Sequence, residues 1–293
     1  MTTANPPAAA SAKKSAGSSA LPMIGGQYHF LFRRLHSLTG ILFGGYIVVH
    51  LLVNATLLEG TRGAAGATVF QQQVDKIHSL PWLIAIEWTA ILMPLIYHTI
   101  YGIYITVTGV PNVGNYGFTK NWFYLAQRVS AIILVFFIAF HVISMKMGGT
   151  IFTFVPHTYA TESTAMHLQA FWWVWAIVYP IGILAGTFHL SNGFWTAAIT
   201  WGLTTTKTAQ KRWGLACIGL FGFTTACGFA ALIGGVRAPI DEETAAIVMQ
   251  VQENPHGHHD ESSSTEHGTA HEADVESAVD DVLAEQLPDS VTE

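Results

Sequence analysis

Cysteine and charge are what this sequence has least of. Only two cysteines occur, Cys217 and Cys227, both inside an apolar run. That rules out a disulfide framework and a four-thiolate iron–sulfur or zinc site within the chain, and the two read as packing residues. Charged residues make up 11% of the 293, against 51% hydrophobic, where an ordinary soluble domain carries about 25% charged. Acids are scarcer still at first. Residues 1 to 240 hold all 13 Lys and Arg and four carboxylates, Glu59, Asp75, Glu87 and Glu162, a balance of +9; residues 241 to 293 have no Lys or Arg and carry −15. A secretory signal is missing too: residues 1 to 25 are rich in Ala, Ser and Pro with a Lys13-Lys14 pair, without a continuous apolar core. Residues 1–27 read as a flexible leader, with a cleaved organelle transit peptide as the alternative. No internal repeat or β-type alternation is visible, and no nucleic-acid partner is expected.

What is present is a set of five apolar stretches, roughly 37 to 58, 82 to 106, 122 to 146, 167 to 200 and 213 to 236. Each is long enough to cross a bilayer core, which takes about 20 helical residues, and in lipid the backbone must satisfy itself, so helices are expected. The fourth run is over-long and interrupted by Ser191-Asn192-Gly193, which predicts a polar, protein-buried or interfacial end. Lys and Arg in the connections set the orientation: with the N-terminus cytoplasmic, nine face inward and only Arg62, Lys76, Lys146 and Arg237 face outward. The expectation is an all-α membrane protein, a five-helix bundle over residues 28–240 in the inner (cytoplasmic) membrane with the C-terminus outside. Residues 241–293 read as a disordered acidic tail, whose His256, His258, His259, His267 and His271 resemble a metal-binding tract. Gly40 with Gly44 and Gly182 with Gly186 have the four-residue spacing that lets membrane helices approach closely.

Four histidines sit inside apolar runs: His50, His98, His141 and His189, one in each of the first four spans. A titratable ring within a span is costly and faces a bundle interior. Each lies in the C-terminal half of its helix, and successive helices run in opposite directions. His50 and His141 therefore belong toward the outer face, His98 and His189 toward the inner. Two imidazole pairs at two depths are what two six-coordinate haems need, since the four ring nitrogens leave two axial positions on each iron. A proton relay is the competing use of buried histidines, but relays recruit carboxylates, and Glu87 is the one acid within a span. A bundle of the quinol:cytochrome c reductase type takes ligand pairs about four turns apart on one helix, and only His36 with His50 has that spacing. No Cys-x-x-Cys-His occurs, so covalent c-type haem is excluded.

The segments Phe32-Arg33-Arg34-Leu35-His36-Ser37-Leu38, His50-Leu51-Leu52-Val53-Asn54, Leu92 to Tyr104, Asn121-Trp122 followed by Gln127-Arg128-Val129, and Phe188-His189-Leu190-Ser191-Asn192-Gly193-Phe194-Trp195 resemble, in order, the cytochrome b558 membrane anchors of succinate dehydrogenases and fumarate reductases. The resemblance covers about residues 28 to 236. It implies two haem b groups held by His50 with His141 and His98 with His189, a flavoprotein and an iron–sulfur subunit docked on the cytoplasmic side, and a membrane quinone, usually menaquinone. The chain would then be the quinone-reactive, electron-carrying subunit of a succinate:quinone oxidoreductase, the dicarboxylate chemistry lying on another chain. Rival readings are a di-haem subunit of a hydrogenase or formate dehydrogenase, and a haem-free anchor. His36, Arg33, Arg34 and Arg128 are candidates for haem-propionate, quinone or partner contacts, positive-inside anchoring being the plainer account of the arginines. Glu87 is the candidate for proton transfer to quinone. One fumarate reductase of the family has a glutamate two positions before its fourth ligand, where this chain has Thr187. Pro94, one turn before His98, is free to kink that helix.

Overall fold

In the computed structural model the described residues are 28–58, 64–146, 154–155, 159–240 and 242–253. All but Glu253 belong to one unit, Met1–Gln252. The leader 1–27 and the tail histidines lie outside the described residues. Eight helices account for nearly all of the rest: α1 (His29–Ala55), α2 (Ala64–His78), α3 (Leu83–Thr108), α4 (Thr119–Lys146), α5 (Ala160–Gln169), α6 (Val174–Thr200), α7 (Lys207–Arg237) and α8 (Glu242–Glu253).

Five of them, α1, α3, α4, α6 and α7, are long and apolar enough to cross a membrane. Their outward side chains are not those of a water-soluble surface: Ile100, Phe136 and Ile218 are 66%, 73% and 67% exposed. Helices apolar on every side lose nothing when lipid is the solvent. Inside the bundle, helix contact is made through small residues. Gly44 faces Leu190 and Phe194, Gly182 faces Phe137, Gly228 faces Ile183, and Gly234 abuts the backbone of Leu57 and Leu58. Polar contacts also join the helices, among them Thr187 Oγ1 with Thr225 Oγ1 at 2.9 Å and Trp201 Nε1 donating to Ser37 Oγ at 2.9 Å.

The first span starts earlier than the apolar run suggests. Residues 29–36 are already helical, so Arg33, Arg34 and His36 sit on the first turns of α1 and not before it. The fourth run is really two helices: its first residues close α5, a break at Ala170 and Phe171 follows, and α6 then runs unbroken to Thr200. Ser191-Asn192-Gly193 does not interrupt it. Ser191 and Asn192 are buried, and Asn192 Nδ2 donates to Gln127 Oε1 of α4 at 2.7 Å, so an amide pair inside the bundle replaces the expected polar end. The stop comes later, at Gly202, whose φ of 76° and the Leu203 N to Ala198 O bond of 2.9 Å form a left-handed cap.

Both α3 and α6 carry a π-helical turn, Glu87–Leu92 after the first α turn of α3 and Val174–Val178 at the start of α6. Each turn runs up to a proline near the following α-helical start, Pro94 and Pro180. Proline has no N–H for the carbonyl four residues back, and the wider register absorbs the mismatch. The kink expected at Pro94 thus takes the form of a π turn one helical turn earlier.

One end of the bundle is capped. Leu57, Phe70, Val74 and Ala160 form a buried cluster joined by Val53 and Phe154, and Gln71 of α2 accepts from the backbone N of Ala160 at 2.8 Å, closing the N-terminus of α5 from another helix. Gln169 at the far end of α5 donates to the carbonyls of Gly235 and Ala238. Residues 241–293 were expected to be disordered from the start, but 242–253 form α8 with Val248 fully buried. Its apolar positions Ile247, Val248 and Val251 account for a helix within an acidic segment.

Candidate functional site

The four in-span histidines meet in two pairs. His50 of α1 and His141 of α4 have ring centroids 5.9 Å apart with planes at 79°; His98 of α3 and His189 of α6 have 6.1 Å and 84°. Two imidazoles on opposite sides of one metal ion, each at about 2 Å from nitrogen to metal plus about 1 Å from nitrogen to ring centre, stand roughly 6 Å apart. Both pairs have that separation.

The rings are also held in one sense. His98 Nδ1 is 3.0 Å from the carbonyl of His36, and His189 Nδ1 is 3.3 Å from the carbonyl of Gln127 and from Ser130 Oγ. His141 Nδ1 is 3.1 Å from Tyr179 Oη, and His50 Nδ1 is 3.5 Å from both Tyr46 Oη and Asn54 Nδ2. At His98, His189 and His141 an acceptor stands at Nδ1 and leaves Nε2 free to meet a metal, the arrangement that fixes tautomer and ring angle there; at His50 the neighbours are looser, and the Asn54 amide donates to the His50 carbonyl at 2.7 Å. Among the described residues no group of three or more His, Cys, Asp or Glu could hold an ion by itself. Two imidazoles per site therefore fit a metal that brings its other ligands with it, as haem iron does.

The chain's small residues serve these pairs. A Cβ on Gly40 would come within 2.6 Å of His98 Cε1 and 2.9 Å of its Nδ1, so Gly40 makes the space in which the ring lies. Gln127, whose side chain is locked by Asn192 and donates to the His189 carbonyl at 3.1 Å, fixes α4 against α6 at His189.

His36, Arg33, Arg34 and Arg128 gather beside the His98 pair with unequal roles. The His36 ring stacks on His98, centroids 4.0 Å apart and planes at 13°. Arg128 lies 3.5 Å over the Tyr124 ring, Arg34 is sandwiched against Phe30 and Trp201, and Arg33 is exposed. His36 Nδ1, Tyr101 Oη and Arg128 Nε are buried polar atoms without a hydrogen-bond partner, a concentration that asks for an acceptor there. Glu87, at the head of the π turn in α3, is half-buried within electrostatic reach of Tyr46, which packs on His50. Thr187 is buried and bonds to Ile183 O and Thr225.

The contact that sequence reasoning missed is at His141. Tyr179 Oη touches His141 Nδ1 and, at 2.9 Å, Nε2 of His167, a ring only 4% exposed on the short helix α5. Burial pushes His167 down to about 4, so it is neutral with a lone pair available at ordinary pH. No spacing pattern links residues 141, 167 and 179; only the break between α5 and α6 brings them together. Tyr46 and Asn54, by contrast, stand four residues either side of His50 and were readable from helical spacing.

The succinate dehydrogenase cytochrome b558 subunit of Bacillus subtilis (strain 168) is 37% identical to this chain over 191 residues, which is 64% of this chain and 87% of that protein. The chain belongs to that family. No family model matches it. As a cytochrome b558 family member with five spanning helices it is a multi-pass membrane protein.

Proposed function

We propose that this chain is the di-haem membrane anchor of a succinate:quinone oxidoreductase, in the cytoplasmic membrane with its N-terminus inside, passing electrons between an iron–sulfur and flavoprotein partner and a membrane quinone. The observation that carries the reading is the pair of imidazole sites, each with about 6 Å between ring centres and Nδ1 engaged. His98 and His189 hold the inner haem and His50 and His141 the outer. Haem b supplies reversible one-electron exchange at its iron.

The protein's share of the work is positioning and charge. Arg33, Arg34, Lys120, Arg128, Lys207, Lys211 and Arg212 all belong to the helix ends and first turns on the His98 side, in keeping with a cytoplasmic face. The unpartnered donors of Arg128 and His36 suit propionate oxygens, which would satisfy them. Glu87, near Tyr46 and His50, is the carboxylate best situated to hand a proton to or from a quinone beside the outer haem, with menaquinone the expected species.

Purification of the intact complex tests the whole reading. Two haem b per chain, with a flavoprotein and an iron–sulfur subunit identified by mass spectrometry, is the expected result. A reduced-minus-oxidised spectrum without a b-type α-band, or a hydrogenase or formate dehydrogenase large subunit in place of the flavoprotein, overturns it. A narrower test uses Gly40→Val: the added isopropyl group drives into the His98 ring, and the inner haem should be lost while the outer is retained. Equal loss of both would sever Gly40 from the inner site.

A further inference from the structure

We infer that His167, acting through Tyr179, is a positioning residue that holds the reduction potential of the outer haem apart from that of the inner one. The inference rests on the di-haem reading above. It starts from an asymmetry between the pairs. At the inner pair the ligands His98 and His189 each have a backbone carbonyl at Nδ1, from His36 and Gln127. Those acceptors belong to the main chain and are strong without help. At the outer pair His141 Nδ1 meets a hydroxyl, Tyr179 Oη, at 3.1 Å.

With Nε2 of His141 on a metal, its Nδ1 carries the proton and donates to Tyr179 Oη. The hydroxyl proton then has one direction to go, to Nε2 of His167 at 2.9 Å. Donating onward makes the phenol oxygen a better acceptor, as hydrogen bonds in a chain polarise one another. Charge is thereby pushed toward His141, whose ring becomes a more basic ligand, and a more basic ligand favours ferric over ferrous iron. Both rings of the chain are confined: Tyr179 packs edge-on against Phe137 and lies 6.0 Å from the His141 ring, while His167 packs on Phe140. His167 is itself fixed because α5 is anchored at both ends, by Gln71 on Ala160 and by Gln169 on Gly235 and Ala238. The residue is outside the spanning segments, so the outer haem is adjusted from the capping layer; at the inner pair the hydroxyl beside His189 Nδ1, Ser130 Oγ at 3.3 Å, donates to the backbone carbonyl of Gln127 at 3.0 Å, so no second side chain stands behind it.

Redox titration of the purified complex, followed at the b-type α-band, reads the effect. Wild-type protein comes first: two b-type waves are required by the di-haem reading, and a single wave or none sinks that reading whatever the variants do. The wave lost in His98→Ala marks the inner haem. In His167→Leu the outer wave should move upward by about tenfold in the ferric-to-ferrous equilibrium, roughly 59 mV for one electron, with the inner wave unmoved. Tyr179→Phe keeps the ring and should raise the outer wave at least as far, and adding His167→Leu to it should change nothing more. His167→Gln, which retains an acceptor, should restore most of the wild-type value. An outer wave that stays put in Tyr179→Phe, equal movement of both waves, or a His167→Leu shift that persists in the Tyr179→Phe background overturns the inference. Should His167→Leu not assemble, Tyr179→Phe and His167→Gln decide the matter alone.

Discussion

Replacing His98 by alanine is expected to remove one of two b-type centres and leave the other, lowering the haem-to-protein ratio from about two to about one and the α-band to about half. The loss follows from the geometry on both sides of the ring. His189 would face an empty position 6.1 Å from where the His98 ring centre had been, and a single imidazole leaves the second axial position to be filled by something else. The His36 ring, stacked parallel on His98 at 4.0 Å, sits to the side of that axis. The outer pair shares no ligand with the inner one, so its wave should stay in place. His189→Ala should lose the same centre as His98→Ala, and His50→Ala and His141→Ala the other. Absorbance spectra with haem extraction on the four purified variants check this. A His98→Ala protein that keeps both haems, or that loses the same centre as His50→Ala, would break the assignment of ligands to pairs.

The histidines were legible because lipid makes them conspicuous. Four rings in runs of Leu, Ile, Val and Phe have no bland explanation in common, and the reversal of direction between successive helices converts position in the chain into depth. The five spans were legible for the same reason: an apolar stretch of that length has few alternatives. Boundaries were not. The apolar run begins after His36, yet the helix starts at His29 and carries His36 onto the face of His98. The fourth run hid a break at Ala170 and Phe171, because apolarity continues across it. That break sets His167 on a separate helix, and its bond to Tyr179 is a tertiary fact with no periodicity to announce it. Gly40 shows the middle case. Its spacing from Gly44 predicts close approach, but what approaches it is the His98 ring and not a helix backbone.

The most disruptive single change outside the histidines should be Gly234→Leu. A Cβ at this position would overlap the main chain of Leu57 and Leu58, where the short turn that continues α1 crosses α7. A flexible side chain can rotate out of the way of an added group, but here the obstacle is backbone, and moving it means shifting one spanning helix against another. Overpacking of well-packed sites costs about 1–3 kcal/mol where side chains absorb the change, and a backbone obstacle belongs at or beyond the upper end. Leu57 also belongs to the buried cluster with Phe70, Val74 and Ala160 that fixes α2 and α5 over this end of the bundle. Displacing it would loosen the helix that carries His167 and, five residues before the end of α1, His50 itself. Gly219→Ala supplies the comparison, since nothing lies within 4 Å of a Cβ there and it should behave as wild type. Thermal melting in detergent, read by the b-type band, should show Gly234→Leu either absent from the membrane or melting several degrees lower, with the outer haem released before the inner. Wild-type melting in Gly234→Leu would mean that α1 and α7 do not meet through this glycine, and release of the inner haem first would mean that the cap does not bear on the outer one.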